Sequence, residues 1–240
     1  MKAARFAGLT VLSVAPRRRR LYNVSPMENP LPSAGPLPVI RGLKALLDAS
    51  AAHHAHLCPR QVLGVRFGLA GAAALGLHAP SPDKRLLAIL ETDGCFADGI
   101  EAATGCSVGH RTMRIEDYGK VAVTFVDTHT GRAVRIAPRG DVRHRALSYS
   151  DGESRPYLAQ LRAYQVMPEH ELLAMQAVRL TVPVEKLVSR HRIRVTCNAC
   201  GEEIINERET LHEGRVLCRA CSAGAYYRIE PHEERISHTR

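Results

Sequence analysis

The sequence has no long uninterrupted run of apolar residues. Its most apolar stretch, Leu69–Leu77, is far shorter than the roughly 18 residues that a membrane-spanning helix needs. It also has no internal repeat of useful length, which excludes a repeat array. Of its 240 residues, 45% are hydrophobic and 24% are charged, enough for one substantial core and a smaller appended unit. We therefore expect a soluble folded protein, neither membrane-spanning nor intrinsically disordered as a whole.

Acidic residues are missing from the start of the chain. Before Met27 the segment carries Lys2, Arg5 and the block Arg17–Arg20, so it holds +6 of the formal net charge of +9. The alternatives are a basic arm for RNA or acidic lipid, and a disordered extension or a true start at Met27. A proline-rich linker follows, and we assign residues 1–39 to a disordered N-terminal extension. Because the rest is nearly neutral, nucleic-acid binding has little support, and we expect no membrane association.

The cysteines do not form a complete disulfide framework, because their number, seven, is odd. Four of them fall into two C-x-x-C pairs, and three stand apart. This pattern suits metal ligation and reactive thiols in a reducing compartment. We therefore expect a cytoplasmic protein.

The spacing of apolar residues predicts an α+β fold with a mixed helix and strand core. The predicted helices cover residues 40–52, 59–77, 96–104, 157–165 and 169–179. The predicted strands cover residues 84–92, 114–118, 121–126 and 132–137, with the last two joined as a hairpin. We divide the chain into the core at 40–150, a helical bridge at 151–189 and a C-terminal unit at 190–240. The small residues of the second helix predict close packing against a sheet.

The C-terminal unit carries the most specific motif of the chain, a four-cysteine zinc site. Its ligands would be Cys197, Cys200, Cys218 and Cys221. Two thiolates in one tight turn bind a tetrahedral ion from one side, and a second such turn closes the other positions. The site is therefore structural, in a small treble-clef or ribbon-like zinc finger suited to protein interaction or packing. We expect a hairpin of residues 203–208 and 211–217, although Glu213-Gly214 offers a turn inside the second stretch.

Three metal-capable side chains, His54, His56 and Cys58, stand at alternating positions immediately before the second predicted helix. In an extended segment these positions share one face, so they are a candidate core metal site. The unpaired amide groups and the positive end of the helix dipole favour a thiolate at Cys58. The alternative is that the histidines are ordinary loop residues and that Cys58 is a small buried apolar residue.

A second group of polar residues follows the predicted buried strand. Asp93 and Cys95 lie where that strand ends and the next helix begins, a position at which α/β folds commonly place sites. Cys106 follows the end of this helix, and Lys120 ends a polar turn before the hairpin. Each residue has an ordinary explanation, such as Asp93 as a helix cap. Those explanations do not account for thiols, histidines and carboxylates that all lie at junctions between loops and helices.

Four motifs occur in order along the core. They are His54-Ala-His56-Leu-Cys58-Pro59 with Leu63-Gly64, Asp93-Gly-Cys95 with Asp98, Thr104-Gly105-Cys106 with Gly109, and Asp117-Tyr-Gly119-Lys120. Over roughly residues 40–225 the chain resembles the FmdE family of formylmethanofuran dehydrogenase subunits, in which a small zinc finger often follows an α+β core. It departs from that pattern at Arg60, where glycine is usual, and at His110-Arg-Thr, where a glycine-rich turn is usual. Both changes add bulky groups beside the expected cleft.

The resemblance implies a metal-binding accessory protein of a molybdenum or tungsten oxidoreductase, because FmdE proteins accompany enzymes that reduce carbon dioxide onto methanofuran. The chemistry would be redox, sulfur or metal handling. By match we assign catalytic roles to Cys58, Cys95, His56 and Lys120, cofactor binding to His54, Asp93 and Cys106, and a second metal to His54, His56 and Cys58. In this hypothesis Cys58 is a thiolate ligand or nucleophile, a histidine is its partner or base, and Asp93 is an orienting carboxylate.

Two other hypotheses belong to different classes. The first is a zinc-finger transcriptional regulator whose finger contacts nucleic acid or RNA polymerase and whose core is a sensor. The basic segments favour it and the nearly neutral finger opposes it. The second is a purely structural protein of a larger complex, whose core cysteines only pack and are unreactive. Whichever holds, we expect a homo-oligomer.

Overall fold

The computed structural model describes residues 40–52, 54, 56–81, 83–188 and 193–229. The predicted extension over residues 1–39 lies outside them. The helices in these ranges are α1 (Ile40–Ala51), α2 (Pro59–Leu75), α3 (Cys95–Thr104), α4 (Val142–Arg145), α5 (Pro156–Val166), α6 (Glu169–Leu172), α7 (Val184–Leu187) and α8 (Arg219–Ala223). The strands are β1 (Leu86–Leu90), β2 (Met113–Ile115), β3 (Val123–Asp127), β4 (Ala133–Pro138), β5 (Leu173–Val178), β6 (Arg194–Thr196), β7 (Glu203–Ile205), β8 (Thr210–His212) and β9 (Arg215–Leu217). Among the described helices, none is both long and apolar enough to cross a membrane.

The centre of the fold is a five-stranded mixed sheet in the order β2-β1-β3-β4-β5. β1 and β2 run parallel, because α3 carries the chain back along the sheet between them. The other neighbouring pairs are antiparallel. β3 and β4 form the predicted hairpin, with Phe125 opposite Val134. The prediction of a mixed α+β core with a β-hairpin is therefore confirmed.

The ends of α2 follow from its local sequence. Pro59 occupies the first turn, where its missing N–H costs no intrahelical hydrogen bond. At the other end Gly76 adopts a φ of 70°, the left-handed conformation that glycine accepts readily, and its N–H bonds to carbonyl groups of the last turn. These two signals explain why the predicted helix over 59–77 agrees with α2 within two residues.

The sheet has a hydrophobic layer on each face. The larger layer contains Phe67 of α2, which packs edge to face on Phe96 of α3 with ring centroids 5.3 Å apart. Phe125 of β3 is fully buried in the same layer. On the other face Leu87 and Val126 form a smaller cluster, partly covered by residues of α7. The sheet therefore holds α2 and α3 in fixed positions, and the candidate site lies where these helices begin.

The predicted helix over residues 169–179 is wrong. Only its first four residues are helical, as α6, and the remainder forms β5, which pairs with β4 along its whole length. Pairing with the open edge of β4 satisfies backbone groups that the apolar spacing of this segment does not reveal. The core sheet therefore continues past residue 150 into the segment predicted as a helical bridge, whereas α5 in the same segment is helical as predicted.

The C-terminal unit contains two small antiparallel pairs, β6 with β7 and β8 with β9. The hairpin predicted between residues 203–208 and 211–217 is therefore wrong. The alternative turn is correct, because Glu213 and Gly214 adopt positive φ angles of 51° and 77° between β8 and β9. α8 begins directly after Cys218, so a cysteine turn, a hairpin and a cysteine-bearing helix follow one another as in a treble-clef finger.

Candidate functional site

The first residues of α2 and α3 lie side by side because the two helices approach closely. A Cβ at Gly64 would overlap the carbonyl oxygen of Phe96 and lie 2.9 Å from the Cα of Gly99. One turn later, a Cβ at Gly68 would lie 2.6 Å from the Cβ of Ala103. Because these pairs advance together along both helices, α2 and α3 run in the same direction. Their N-terminal ends, which carry Cys58 and Cys95, therefore meet.

The glycines of α2 face two different neighbours. Gly71 lies against the ring of Phe125 in the sheet, as predicted, but Gly64 and Gly68 face α3. Packing against a sheet is therefore only part of the explanation for these small residues. The spacing of the glycines indicates a close approach along one helix face, but it does not identify the element that approaches.

Cys58 is held rigidly just before α2. Its backbone is extended, with φ −121° and ψ 161°, and its N–H donates to Gln61 Oε1 at 2.8 Å. Gln61 is completely buried, and its Nε2 donates to the carbonyl oxygen of Ser50 in α1 at 2.8 Å. This chain of bonds joins α1 to the start of α2. The Cys58 thiol is thus buried in a defined position, with 9% of the residue exposed.

Cys95 is the first residue of α3, and its side chain lies near that of Cys58 in the wall of one cavity. Burial raises the pKa of the Cys95 thiol, and the neighbouring Cys58 thiol and Asp98 carboxylate raise it further. A helix start alone would favour the thiolate, so burial and these neighbours outweigh the helix dipole here. The Cys95 sulfur is therefore protonated at neutral pH, and both cysteines are free thiols.

The structure separates the histidines expected beside Cys58. His54 Nε2 lies 2.6 Å from Asp98 Oδ2, whereas His56 is exposed at the edge of a cavity. Asp93 is exposed and does not line that cavity, so Asp98 is the carboxylate that orients a histidine. The position of Asp98 in the first turn of α3 was the sequence signal that could have identified this carboxylate. Among the described residues, three or more metal-ligating groups meet only at the C-terminal cysteines, so His54, His56 and Cys58 do not form one ligand set.

A cavity of about 800 Å³ opens beside the two thiols. Its polar lining comprises His56, Cys58, Arg60, Cys95, Lys120, Arg135, Arg143, Tyr157, Gln160 and Tyr164. The sequence motifs do not include Arg135, Arg143, Tyr157, Gln160 or Tyr164. Tyr157, Gln160 and Tyr164 of α5 are spaced at i, i+3 and i+7, which places them on one face of the helix. That spacing was a usable sequence signal for a shared polar surface.

The turn that carries Lys120 is fixed to the end of β1. The backbone N–H groups of Tyr118 and Lys120 donate to the carbonyl oxygen of Glu91 at 3.0 and 3.1 Å. The Glu91 carboxylate accepts two hydrogen bonds from Arg135, at 2.6 and 2.7 Å. These bonds lower the pKa of Glu91, so the pair is fully ionised at neutral pH. Gly119 adopts a φ of 65°, which allows the turn to bring Lys120 to the cavity.

Two other features expected at the site lie elsewhere. Cys106 packs in the hydrophobic core, where its thiol donates to the carbonyl oxygen of Leu86 at 3.4 Å and burial raises its pKa. The structure therefore does not bring it to the cavity. Two departures from the family pattern were expected beside the cleft, Arg60 and the segment His110-Arg-Thr. Arg60 lines the cavity, but the segment does not, and its Arg111 instead donates to Asn206 Oδ1 of the C-terminal unit at 2.9 Å.

The four C-terminal cysteines form a compact cluster. Their sulfur atoms all lie within 4.8 Å of one another, and those of Cys200 and Cys218 are 3.9 Å apart. In a tetrahedral site with metal–sulfur bonds of about 2.3 Å, the sulfurs are separated by about 3.8 Å. The donor set and its spacing therefore fit one tetrahedral metal ion with no open coordination position.

Backbone N–H groups point at this cluster. Those of Cys218 and Cys221 donate to the sulfurs of Cys197 and Cys218, at 3.3 and 3.4 Å. Such bonds lower the pKa of Cys197 to about 6, whereas the neighbouring thiols raise the pKa of Cys221 to about 12. Four sulfurs at this separation cannot all ionise without a cation, because their charges repel. The cluster could therefore hold a metal ion, whose positive charge would allow all four sulfurs to ionise.

Comparison with known proteins identifies the family of the chain. The family model described as FmdE, molybdenum formylmethanofuran dehydrogenase operon, matches residues 53–189. The chain belongs to the FmdE family. The matched residues contain both core thiols and the whole lining of the cavity, and the four-cysteine cluster of this FmdE-family protein lies beyond them.

Two individual proteins are similar to the chain. One is a probable S-adenosyl-L-methionine-binding protein of Archaeoglobus fulgidus, 35% identical over 97 residues, which are 39% of this chain and 26% of the relative. The chain thus spans about a quarter of the length of that relative. The other is the crystal structure of a tungsten formylmethanofuran dehydrogenase FmdE-like protein from Syntrophus aciditrophicus. It is 20% identical, with a TM-score of 0.47, covering 77% of this chain and 94% of that chain.

Proposed function

We propose that this FmdE-family protein is a cytoplasmic accessory protein of a molybdenum or tungsten oxidoreductase of the formylmethanofuran dehydrogenase type. Its functional centre would be a dithiol formed by Cys58 and Cys95, and its C-terminal unit would hold a structural zinc ion. The observation that carries the proposal is the position of the two thiols, which lie near each other at adjacent helix starts in the wall of one open cavity. Family membership supports the class of partner enzyme.

A dithiol in this position can undergo reversible two-electron oxidation. The sulfurs of Cys58 and Cys95 form one S–S bond and release two protons and two electrons, and a disulfide oxidant that takes them up becomes two thiols. His56, in the same cavity lining, is our candidate base, and Lys120 is the cation that would stabilise the thiolate. Thiol chemistry fits these residues better than a core metal, because His54 is bound to Asp98.

The metal proposed for the C-terminal cluster is zinc. Four thiolates at tetrahedral spacing are a common structural zinc site. An ion with four thiolate ligands leaves no position for substrate, so its role would be structural. Among the described residues, the buried core of the C-terminal unit is limited to Cys197, Ile204 and Leu217, and such a small fold would depend on the metal for its stability. Free thiols and zinc–thiolate sites are typical of reducing compartments, which supports the proposed cytoplasmic location.

Disulfide mapping tests the dithiol. Reduced protein is equilibrated with a glutathione redox buffer, and acid then stops thiol–disulfide exchange. The remaining free thiols are blocked with an alkylating reagent, and the peptides are examined by mass spectrometry. We expect a peptide pair linked through Cys58 and Cys95, and its loss in Cys58→Ser. Cys106 is an internal control, because it is buried in the core and should stay reduced. The proposal is wrong if Cys58 and Cys95, like Cys106, remain reduced at every ratio of oxidised to reduced glutathione.

The regulator hypothesis receives less support from the finger. Its described residues 193–229 contain five arginines and five glutamates, so they carry no net charge to attract nucleic acid. Nucleic-acid affinity that falls steeply with rising salt would favour the regulator, whereas the accessory function predicts a stable complex with purified formylmethanofuran dehydrogenase by size-exclusion chromatography.

A further inference from the structure

The cavity beside the thiols has an unbalanced charge. Four cationic side chains, Arg60, Lys120, Arg135 and Arg143, line it. No aspartate or glutamate of the described residues is part of the lining. Because these cations come from α2, α4, β4 and the turn before β3, they surround the cavity and do not form a stripe on one helix. An arrangement of this kind raises the local concentration of anions inside the cavity.

One of the four cations is bonded to a carboxylate, and the other three form no such bond. Arg135 donates two hydrogen bonds to Glu91, so its charge is balanced within the protein. Arg60, Lys120 and Arg143 have no hydrogen bond or ion pair with any described residue, and all three are exposed. The Glu91 carboxylate also attracts Lys120 electrostatically, but one negative charge beside four cations still leaves a positive potential that a bound ligand would balance.

Two tyrosines and a glutamine of α5 add neutral polar groups to the lining. Burial and the two core thiols raise the pKa of Tyr157, so its hydroxyl stays protonated and can donate a hydrogen bond. Tyr164 donates to Gln160 Oε1 at 3.3 Å, which leaves the amide N–H groups of Gln160 as donors. The lining thus offers cations and neutral donors next to Cys58 and Cys95, the groups that recognise carboxylate or phosphate oxygens.

We propose that the cavity binds a small anionic molecule, through a carboxylate or phosphate group held by Arg60, Lys120 and Arg143, with its reactive part against the Cys58–Cys95 pair. This inference rests on the proposed dithiol function and adds the chemical class of its ligand.

Charge-selective alkylation of the full-length protein tests the ligand class. Iodoacetate and iodoacetamide alkylate thiols through the same reactive carbon, but iodoacetate is an anion and iodoacetamide is neutral. The rates at Cys58 and Cys95 are followed by peptide mass spectrometry at pH 8.5, and each is divided by the rate at the same cysteine in urea. We expect the normalised iodoacetate rate to exceed the iodoacetamide rate on the order of tenfold in low salt, and this preference to shrink in 1 M salt.

Matched variants assign the preference to the cavity. Arg60→Gln and Arg143→Gln each remove one lining cation from an exposed position, and each should lower the preference about twofold to threefold. Arg179→Gln is the control, because Arg179 is exposed, bonds to no described residue and lies outside the lining, and it should leave the preference unchanged. Equal normalised rates for the two reagents, or a loss in Arg179→Gln as large as in the lining variants, would overturn the proposal.

Protection separates the two sources of the anionic group. Inorganic pyrophosphate that slows alkylation at Cys95 identifies a phosphate ligand, and succinate that does so identifies a carboxylate ligand. If neither anion slows it, the ligand class is wrong. If neither reagent alkylates Cys58 or Cys95 in the folded protein, the dithiol function is wrong as well, so the two failures are distinguishable.

Discussion

The contact between Gly64 and Gly99 gives the sharpest prediction about the fold that supports the dithiol. In Gly64→Ala the new methyl group would overlap the Phe96 carbonyl oxygen and approach the Gly99 Cα to 2.9 Å, whereas carbon atoms pack best about 3.5–4.0 Å apart. Both neighbours are backbone atoms and cannot rotate away, so the helices must separate by several tenths of an ångström. Overpacking of this kind costs about 1–3 kcal/mol.

The same chain contains a matched control for this substitution. Gly42 also lies in a helix, α1, but a Cβ there would meet nothing within 4 Å. Gly42→Ala should therefore stabilise the protein by about 0.5–1 kcal/mol, because alanine favours the helix over glycine. Because both substitutions gain the same helix preference, the free energies of unfolding of the two variants should differ by the overpacking cost alone, about 1–3 kcal/mol, with Gly42→Ala the more stable.

Urea unfolding followed by far-ultraviolet circular dichroism measures both changes. Because a wider separation of α2 and α3 also moves Cys58 away from Cys95, Gly64→Ala should slow formation of their disulfide in the same redox buffer. If Gly64→Ala stabilised the protein as much as Gly42→Ala does, the close contact of the two helices, and the explanation for the adjacent thiols, would be refuted.

Three further predictions concern other parts of the chain. Treatment with a chelator should expose residues 193–229 to limited proteolysis while the core stays protected, since a metal ion held by the four cysteines would stabilise only the small unit; simultaneous digestion of the core would contradict this. The Asp127 carboxylate accepts hydrogen bonds from Arg85 at 3.0 and 2.9 Å, and these lower its pKa, so its stabilisation is present above pH 4 and lost at more acidic pH. The wild type should therefore lose about 1–2 kcal/mol more free energy of unfolding than Asp127→Asn between about pH 5 and 2, and parallel pH profiles would exclude this contribution. Light scattering after size-exclusion chromatography should give a mass above the 26.3 kDa of one chain if the predicted homo-oligomer forms, and a monomer mass would contradict it.

Local sequence signals predicted the elements whose limits they determine. Pro59 and Gly76 define the ends of α2, and Gly105 ends α3 with a φ of 73°, so these helices were predictable within one or two residues. The cysteine cluster was predictable for a similar reason, because both C-x-x-C turns carry their ligand spacing in the sequence itself.

Long-range contacts account for what the sequence did not reveal. Leu173–Val178 is a strand because β4 offers an open edge, a condition that lies about forty residues away along the chain. Likewise, Asp98 rather than Asp93 reaches His54 because α3 begins beside α2. The proximity of Cys58 and Cys95 depends on two glycines in different helices, Gly64 and Gly99, so the cysteine motifs indicated a site but not a thiol pair.

Metal stoichiometry tests most directly the claim that the core site is a dithiol, separate from one closed metal site. Protein purified without oxygen or chelator is analysed by inductively coupled plasma mass spectrometry, together with Cys218→Ser and with Cys58→Ser/His56→Ala. We predict one zinc ion per chain in the wild type, none in Cys218→Ser, and one in the double core variant. Two metal ions per chain, with one lost in the core variant, would contradict the account.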